Sequence, residues 1–217
     1  MTTQPSSDPW RTDAYLQRLV DDLAAKGYSI LPCSLDQENC ARLLADARKL
    51  DELGALRPAG VGREGTEVAT IRGDRIAWLE PGLSAAIDEF LSLVEHLRMH
   101  LNRHLYLGLV GYEGHLACYR PGAGYRKHLD RILGSDARVL TLIAYLNPAW
   151  NHADGGQLRL VLPDGKTEEV MPSAGTLVAF LSADYWHEVL PAWRERWAIT
   201  GWFRQQENTM ACRPANP

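Results

Sequence analysis

A mainly β sandwich or jelly roll, braced on one face by helices from the N-terminal half, is the fold class this sequence predicts. Three observations predict it. Apolar residues in the first hundred or so positions recur at helical spacing, whereas beyond residue 105 they fall in short runs or alternate. Those later runs number seven or eight, lie close together, and are separated by the turn clusters PGAG, NPAWNHADGG, PDG and PSAG. No internal repeat or low-complexity linker divides the 217 residues, so they read as one domain. At this length roughly 70% of the unfolded chain's surface can be buried, and neither a disulfide nor a structural metal is needed for stability.

The elements follow in order. Leu16, Leu19, Val20 and Leu23 mark a first helix, which Gly27 can end. YSILP (28–32) is a short strand. A second helix runs from near Asp36 to near Gly54 around Leu43, Leu44 and Leu50. A third runs from about Ser84 to His104, with Ile87, Leu91, Val94, Leu97 and Leu101 on one face. The expected strands of the second half are LYLGLV (105–110), HLACYR (115–120), VLTLIAYLN (139–147), GQLRLVL (156–162), TEEVM (167–171), TLVAFL (176–181) and WAITGWF (197–203). Residues 1–104 are then mainly helical support with a glycine-rich loop near 57–71, 105–204 the β core, and 205–217 a tail.

Composition excludes several function classes. A net charge of -4 with no long run of one sign argues against a nucleic-acid partner. No stretch of about 18 apolar residues is present to cross a membrane. The opening MTTQPSSDPWRTDAY lacks the basic start and apolar core of a signal peptide. Cys33, Cys40, Cys118 and Cys212 form no CxxC pair and read as reduced thiols. A cytoplasmic location is the expectation. Arg outnumbers Lys 19 to 4, which points to a GC-rich, bacterial coding sequence. GVGREG (60–65) matches a dinucleotide fingerprint in letters only, since no strand precedes it and no helix follows.

The stretch YRKHLDR (125–131) contains His128-x-Asp130. On a strand, residues two apart face the same way, about 6.5–7 Å apart along the backbone. Alone, this pattern is commonly a surface ion pair. The chain has seven histidines. His96, His100 and His104 read as a polar stripe on the third helix, and His115 and His152 as structural or solvated. His187 differs, because Arg196 follows nine residues later across a turn containing Pro191, in a hairpin-like arrangement. Arg suits bidentate recognition of a carboxylate, here one belonging to a metal-bound cosubstrate. Two His and one carboxylate form the facial triad of non-haem Fe(II) oxygenases. The same donors also suit zinc in a hydrolase, a rival that Arg196 disfavours.

IRGDRIAWLE (71–80), ACYRPGAGYRKHLD (117–130), LIAYLN (142–147), GGQLRL (155–160) and HEVLPAWRERWAITGWF (187–203) carry a family resemblance. In these stretches, and in their order over about residues 27 to 204, the sequence resembles the 2-oxoglutarate- and Fe(II)-dependent prolyl hydroxylases. The similar group contains the hypoxia-inducible-factor prolyl hydroxylases and their bacterial relatives. The resemblance implies a double-stranded β-helix, a cupin-like jelly roll. It implies that His128, Asp130 and His187 bind Fe(II), that Arg196 and Tyr145 hold the distal carboxylate of 2-oxoglutarate, that Tyr119 lies beside the cosubstrate, and that Thr200 is nearby. Trp78, Tyr125, Arg138 and Trp202 fall where the family has residues close to the substrate proline; core packing for the two Trp and a surface ion pair for Arg138 are the alternative roles. The loop near 57–71 corresponds to the family's entrance loop.

The implied reaction hydroxylates C4 of a prolyl residue in an exposed loop of a partner protein, consuming 2-oxoglutarate and O₂ and forming succinate and CO₂, with ascorbate as reductant. Arg131-Ile132-Leu133 stands where the oxygen-sensing animal enzymes have an Asn-rich stretch. That departure points away from an animal transcription factor and, with the bacterial relatives, makes elongation factor Tu the leading candidate partner. The rival functions are hydroxylation of a free amino acid or metabolite on the same triad, and a non-catalytic sensor or binding module of the same fold.

Overall fold

The computed structural model of the chain describes residues 13–60, 70–130 and 137–206. Three helices occupy the N-terminal half: α1 (Asp13–Lys26), α2 (Gln37–Glu52) and α3 (Ala85–Leu105). Their ends have local causes. The Asp36 carboxylate accepts a hydrogen bond of 2.6 Å from the Asn39 backbone N–H, and the Ser84 hydroxyl accepts one of 3.1 Å from that of Ile87. Each satisfies a first-turn donor that the helix cannot. α1 stops at Gly27, whose φ of 74° is left-handed backbone open to glycine. All three helices lie where the apolar spacing places them.

The described residues form eleven strands. They are β1 (Tyr28–Leu31), β2 (Arg57–Pro58), β3 (Asp74–Trp78), β4 (Gly111–Tyr119), β5 (Tyr125–His128), β6 (Arg138–Tyr145), β7 (Leu158–Val161), β8 (Thr167–Val170), β9 (Leu177–Leu181), β10 (His187–Val189) and β11 (Arg196–Arg204). Seven make one antiparallel sheet in the order β1-β9-β6-β11-β4-β3-β2, and four make a second in the order β5-β10-β7-β8.

The large sheet has two apolar faces. On β11, Trp197, Ile199 and Phe203 turn toward the helices and share a cluster with Leu19, Ile87 and Leu97. Ala198 turns the other way, into a cluster with Tyr119, Tyr145, Phe180 and, from the small sheet, Leu158 and Leu160. β6 divides likewise, with Leu140, Leu142 and Ala144 outward and Ile143 and Tyr145 inward. This is the two-residue period of a strand. Both faces being covered explains why these strands read as continuous apolar runs in the sequence. Everything at positions 196, 198, 200 and 202 therefore faces the space between the sheets.

β11 is the most crowded strand, flanked by β4 and β6 along its length. A β-carbon at Gly201 would lie 2.5 Å from the Glu113 carbonyl oxygen and collide with the Tyr112 ring. Gly201→Ala is expected to destabilise the fold by about 1–3 kcal/mol through overpacking. The midpoint of a urea unfolding curve would read it, and an unchanged midpoint would mean that Tyr112 swings clear.

Three expectations need correction. LYLGLV (105–110) is not a strand: α3 runs to Leu105 and residues 106–110 are irregular. The Asn102 side chain accepts from the Leu109 N–H at 2.7 Å and donates to its carbonyl at 2.8 Å, taking groups that a ladder would use. His187 and Arg196 do not form a hairpin, because β10 belongs to the small sheet and β11 to the large one. Of the loop near 57–71, Arg57 and Pro58 pair with Ile76 and Arg75 as a short edge strand. Residues 61–69 of that loop, Arg131-Ile132-Leu133, Cys212 and the tail from 207 lie outside the described residues.

Candidate functional site

His128 ends β5, Asp130 lies two residues further in the bend that follows, and His187 opens β10. β5 and β10 are paired with His128 directly opposite His187. That register brings residues 59 positions apart side by side. Asp130 is beyond the strand rather than on it, so the bend, not strand alternation, turns its carboxylate back to the imidazoles. His128 Nε2 is 3.6 Å from Asp130 Oδ1, and His187 Nε2 is 3.5 Å from Oδ2. One ligand atom from each of the three residues lies within 4.8 Å of the other two.

The surroundings set each ligand's protonation. His128 Nδ1 is 2.7 Å from the Arg126 carbonyl oxygen, and His187 Nδ1 is 3.0 Å from that of Tyr185. A carbonyl only accepts, so each Nδ1 carries the proton and each Nε2 presents a lone pair to the centre. Burial pushes His187 below its ordinary value, which favours the neutral, ligating form. Burial opposes ionisation of Asp130, but positive charge facing it, from the His187 and His128 rings when protonated or from a metal ion held by their neutral forms, outweighs burial and holds the carboxyl well below the usual range. Two imidazoles and one carboxylate match the donor set of a non-haem Fe(II) oxygenase site.

Behind Asp130 lies a buried hydroxyl pair that the sequence did not single out. Thr141 Oγ1 is 2.8 Å from Asp130 Oδ2 and 2.9 Å from Ser182 Oγ. An ionised carboxylate only accepts, so Thr141 donates to Asp130 and accepts from Ser182. Thr141→Val is expected to weaken Fe(II) binding about 10–100-fold, the usual effect of losing a partner behind a metal ligand. Thr141→Ser should restore most of it. Calorimetric titration with Mn(II) as a redox-inert substitute measures both, and equal affinities would deny Thr141 this positioning role.

On the facing sheet, Arg196 is 2% exposed. Its Nε donates to the Gly156 carbonyl at 2.7 Å, and its Cζ lies 5.0 Å from the ring centroids of both Tyr119 and Tyr145. Among the described residues no carboxylate pairs with it. The Tyr145 hydroxyl is fully buried and has no hydrogen-bond partner, and burial pushes its pKa up to about 12. A buried cation without a counter-charge is costly. A ligand carboxylate between Arg196 and the Tyr145 hydroxyl resolves both deficits, so these residues fit the far end of 2-oxoglutarate. Thr200 lies on the same face of β11 and lines the same cavity, of about 940 Å³.

The cavity wall also gathers the four residues singled out near a substrate. Tyr125 stacks on His128 with ring centroids 3.6 Å apart. Arg138 lies 3.4 Å above the Trp202 ring while its Nε pairs with Glu113 at 2.8 Å. Trp202 is buried and lines the cavity, and Trp78 is half-exposed at its mouth.

Of the two roles read for His115, the structure selects the structural one. It is buried in the cavity wall, its ring centroid 5.3 Å from that of Trp78 and 5.5 Å from that of Trp202. Burial, with Arg72 adding to it, pushes its pKa down to about 4, so the ring is neutral. Its Nε2 faces Arg72 at 3.5 Å. Arg offers only donors, so the proton sits on Nδ1, which is buried without a partner. Counting back by twos from Tyr119 along HLACY would have found it, since both then share a strand face. Arg72 itself forms a double hydrogen bond with Asp74, at 2.7 and 3.0 Å, and lies over Tyr125 at 4.9 Å. Of the other histidines, His100 and His104 pack as tilted rings with centroids 4.3 Å apart on α3, and His152 Nδ1 meets Gln157 Nε2 at 2.7 Å.

Comparison with known proteins bears on this arrangement. The family model described as the 2OG-Fe(II) oxygenase superfamily matches residues 114–204. Prolyl hydroxylase EGLN3 of Mus musculus is 33% identical over 204 residues, covering 88% of this chain and 84% of that protein. The chain spans a smaller share, 46%, of the human Egl nine homolog 1. A Pseudomonas putida prolyl-4-hydroxylase crystal structure is similar with a TM-score of 0.84 at 47% identity, over 88% of this chain and 99% of that one. A prolyl hydroxylase from Trichoplax adhaerens, solved with a hypoxia inducible factor oxygen degradation domain peptide fragment, has a TM-score of 0.84 at 29% identity, over 94% of each chain.

Proposed function

Because the chain belongs to the 2-oxoglutarate- and Fe(II)-dependent prolyl hydroxylases of the hypoxia-inducible-factor type, we propose that it hydroxylates C4 of a prolyl residue in an exposed loop of a protein substrate. Fe(II) and 2-oxoglutarate are its metal and cosubstrate. When bound, they supply O₂ activation coupled to oxidative decarboxylation, with succinate and CO₂ as products and ascorbate as the reductant that maintains Fe(II).

The chain's own residues hold and orient. His128, Asp130 and His187 take the iron through two neutral Nε2 atoms and one carboxylate oxygen. Arg196 takes the far carboxylate of 2-oxoglutarate through its remaining N–H groups, and the Tyr145 hydroxyl donates to the same carboxylate. Tyr119 packs against that end, and Thr200 flanks it. Trp78, Tyr125, Arg138 and Trp202 form the wall against which the prolyl ring rests. The buried setting of Arg196 and Tyr145 excludes water and strengthens the charge-assisted contacts. The whole chain acts as a single catalytic domain, placed in the cytoplasm; no helix of the described residues is long and apolar enough to cross a membrane. Similarity to a bacterial prolyl hydroxylase favours a bacterial protein substrate, with elongation factor Tu the leading candidate.

The observation that carries this proposal is the buried Arg196, without a carboxylate partner among the described residues, which lines the same cavity as the His128–Asp130–His187 cluster and lies beside the unpartnered Tyr145 hydroxyl. The test is incubation with Fe(II), ascorbate, 2-oxoglutarate and a bacterial protein extract, followed by peptide mapping by mass spectrometry. A proline that gains one oxygen atom only when 2-oxoglutarate is present supports the proposal and names the substrate. Succinate formed with free amino acids or metabolites, and no modified peptide, would replace it with small-molecule hydroxylation.

A further inference from the structure

Resting on the prolyl hydroxylase proposal, we infer that the protein segment carrying the target proline is acidic, and that Arg57, Arg126 and Lys127 on the cavity rim receive it. The charges that the described residues place around the cavity do not balance. Among those residues three carboxylates line it: Asp74, Glu80 and Asp130. Asp130 is committed to the iron, and Asp74 is paired with Arg72 at 2.7 Å. Only Glu80 remains.

The cations are treated differently. Arg138 is paired with Glu113, and Arg196 is buried for the cosubstrate. Arg57, Arg126 and Lys127 are left, all exposed and all lining the cavity. Among the described residues Arg57 donates only to the backbone carbonyls of Gly54 and Leu56, and none of them offers it a carboxylate. Among the described residues neither Arg126 nor Lys127 has a carboxylate partner. Lys127 instead sits 5.8 Å from the ring centroid of Trp186, which is 46% exposed. The described part of the rim is therefore positive on a chain whose net charge is -4. Unpaired like charges gathered at the mouth of a cleft repel one another and focus a field that attracts an opposite charge.

Position gives the range. Arg126 is two residues from His128, and its own carbonyl accepts from the His128 ring. A proline presented to the iron is then about 7 Å along the strand from Arg126. An extended substrate advances about 3.3–3.6 Å per residue, so carboxylates within about three residues of the proline reach this rim. Exposed contacts of this kind are individually weak and screened by salt. They act on encounter and on KM rather than on the chemical step.

The test uses three peptides with one prolyl core, flanked by Asp/Glu, by Ser/Asn or by Lys, with hydroxylation followed by mass spectrometry. The acidic peptide is expected to exceed the neutral one about tenfold in kcat/KM at low salt, through KM, and the ratio should shrink toward unity at about 0.5 M salt. The Arg126→Glu/Lys127→Glu double variant should remove or invert this ratio. The Arg126→Ala/Lys127→Ala variant should reduce it partway, which separates charge from any fault in folding. Equal kcat/KM for acidic and neutral peptides overturns the inference while leaving prolyl hydroxylation standing. If no peptide gains oxygen although the protein binds Mn(II) and 2-oxoglutarate, prolyl hydroxylation falls, and the acidic-segment inference with it.

Discussion

Asp130→Ala is expected to lose Fe(II) and all turnover while the protein stays folded. Asp130 is the one anion of the cluster, 8% exposed and flanked by two neutral imidazoles. Without it, a divalent ion would face two neutral ligands in a buried site, with nothing to offset the loss of its hydration. The fold should not suffer comparably. Asp130 lies outside the strands, and Thr141 keeps Ser182 as a partner. Metal titration should show no saturable Fe(II) or Mn(II) binding, and thermal unfolding of the metal-free protein should change little. A variant that retains full activity would remove Asp130 from the metal site.

Arg196→Ala should act on the other ligand. It deletes a buried charge-assisted contact, an effect of about 2–5 kcal/mol, or tens- to thousands-fold in affinity for 2-oxoglutarate. The metal site is built from other residues, so Mn(II) affinity should be retained. Arg196→Lys should recover only part of the loss, because an ammonium lacks the planar fork that meets a carboxylate with two parallel hydrogen bonds. Titration of 2-oxoglutarate into the Mn(II)-loaded variants measures this. Unchanged affinity in Arg196→Ala would place the cosubstrate carboxylate elsewhere.

These two variants separate the halves of the site, and the fold shows why they are separable. The metal residues come from β5, β10 and the bend after β5, in the small sheet and beside it. Arg196, Tyr145 and Tyr119 come from β11, β6 and β4, adjacent in the large sheet. The cavity is the gap between the two. Ten of the eleven singled-out residues line that cavity, and the eleventh, Tyr145, is buried beside Arg196.

Sequence alone determined a good deal. Helical spacing marked α2 and α3 to within about two residues and the end of α1 at Gly27, because amphipathic faces and glycine stops are local chemistry. Alternating and continuous apolar runs marked most of the large sheet. The patterns around His128, Asp130, His187 and Arg196 named the candidate chemistry. Where local pattern and structure part, the deciding contact is distant in sequence or made by a side chain. LYLGLV looks like a strand, but Asn102 ties up the Leu109 backbone. Arg57–Pro58 is too short to signal a strand and is one only because β3 pairs with it.

Only the tertiary structure could place His115 among Trp78, Trp202 and Arg72, set the Thr141–Ser182 pair behind Asp130, or leave Arg57, Arg126 and Lys127 on one rim without a carboxylate partner among the described residues. Each depends on which strands become neighbours and in what register. A one-residue slip would send every side chain of a strand to its other face. Residue types and their spacing specify what chemistry is available; the pairing of the two sheets decides which groups meet, which are buried, and which charges are left without a partner.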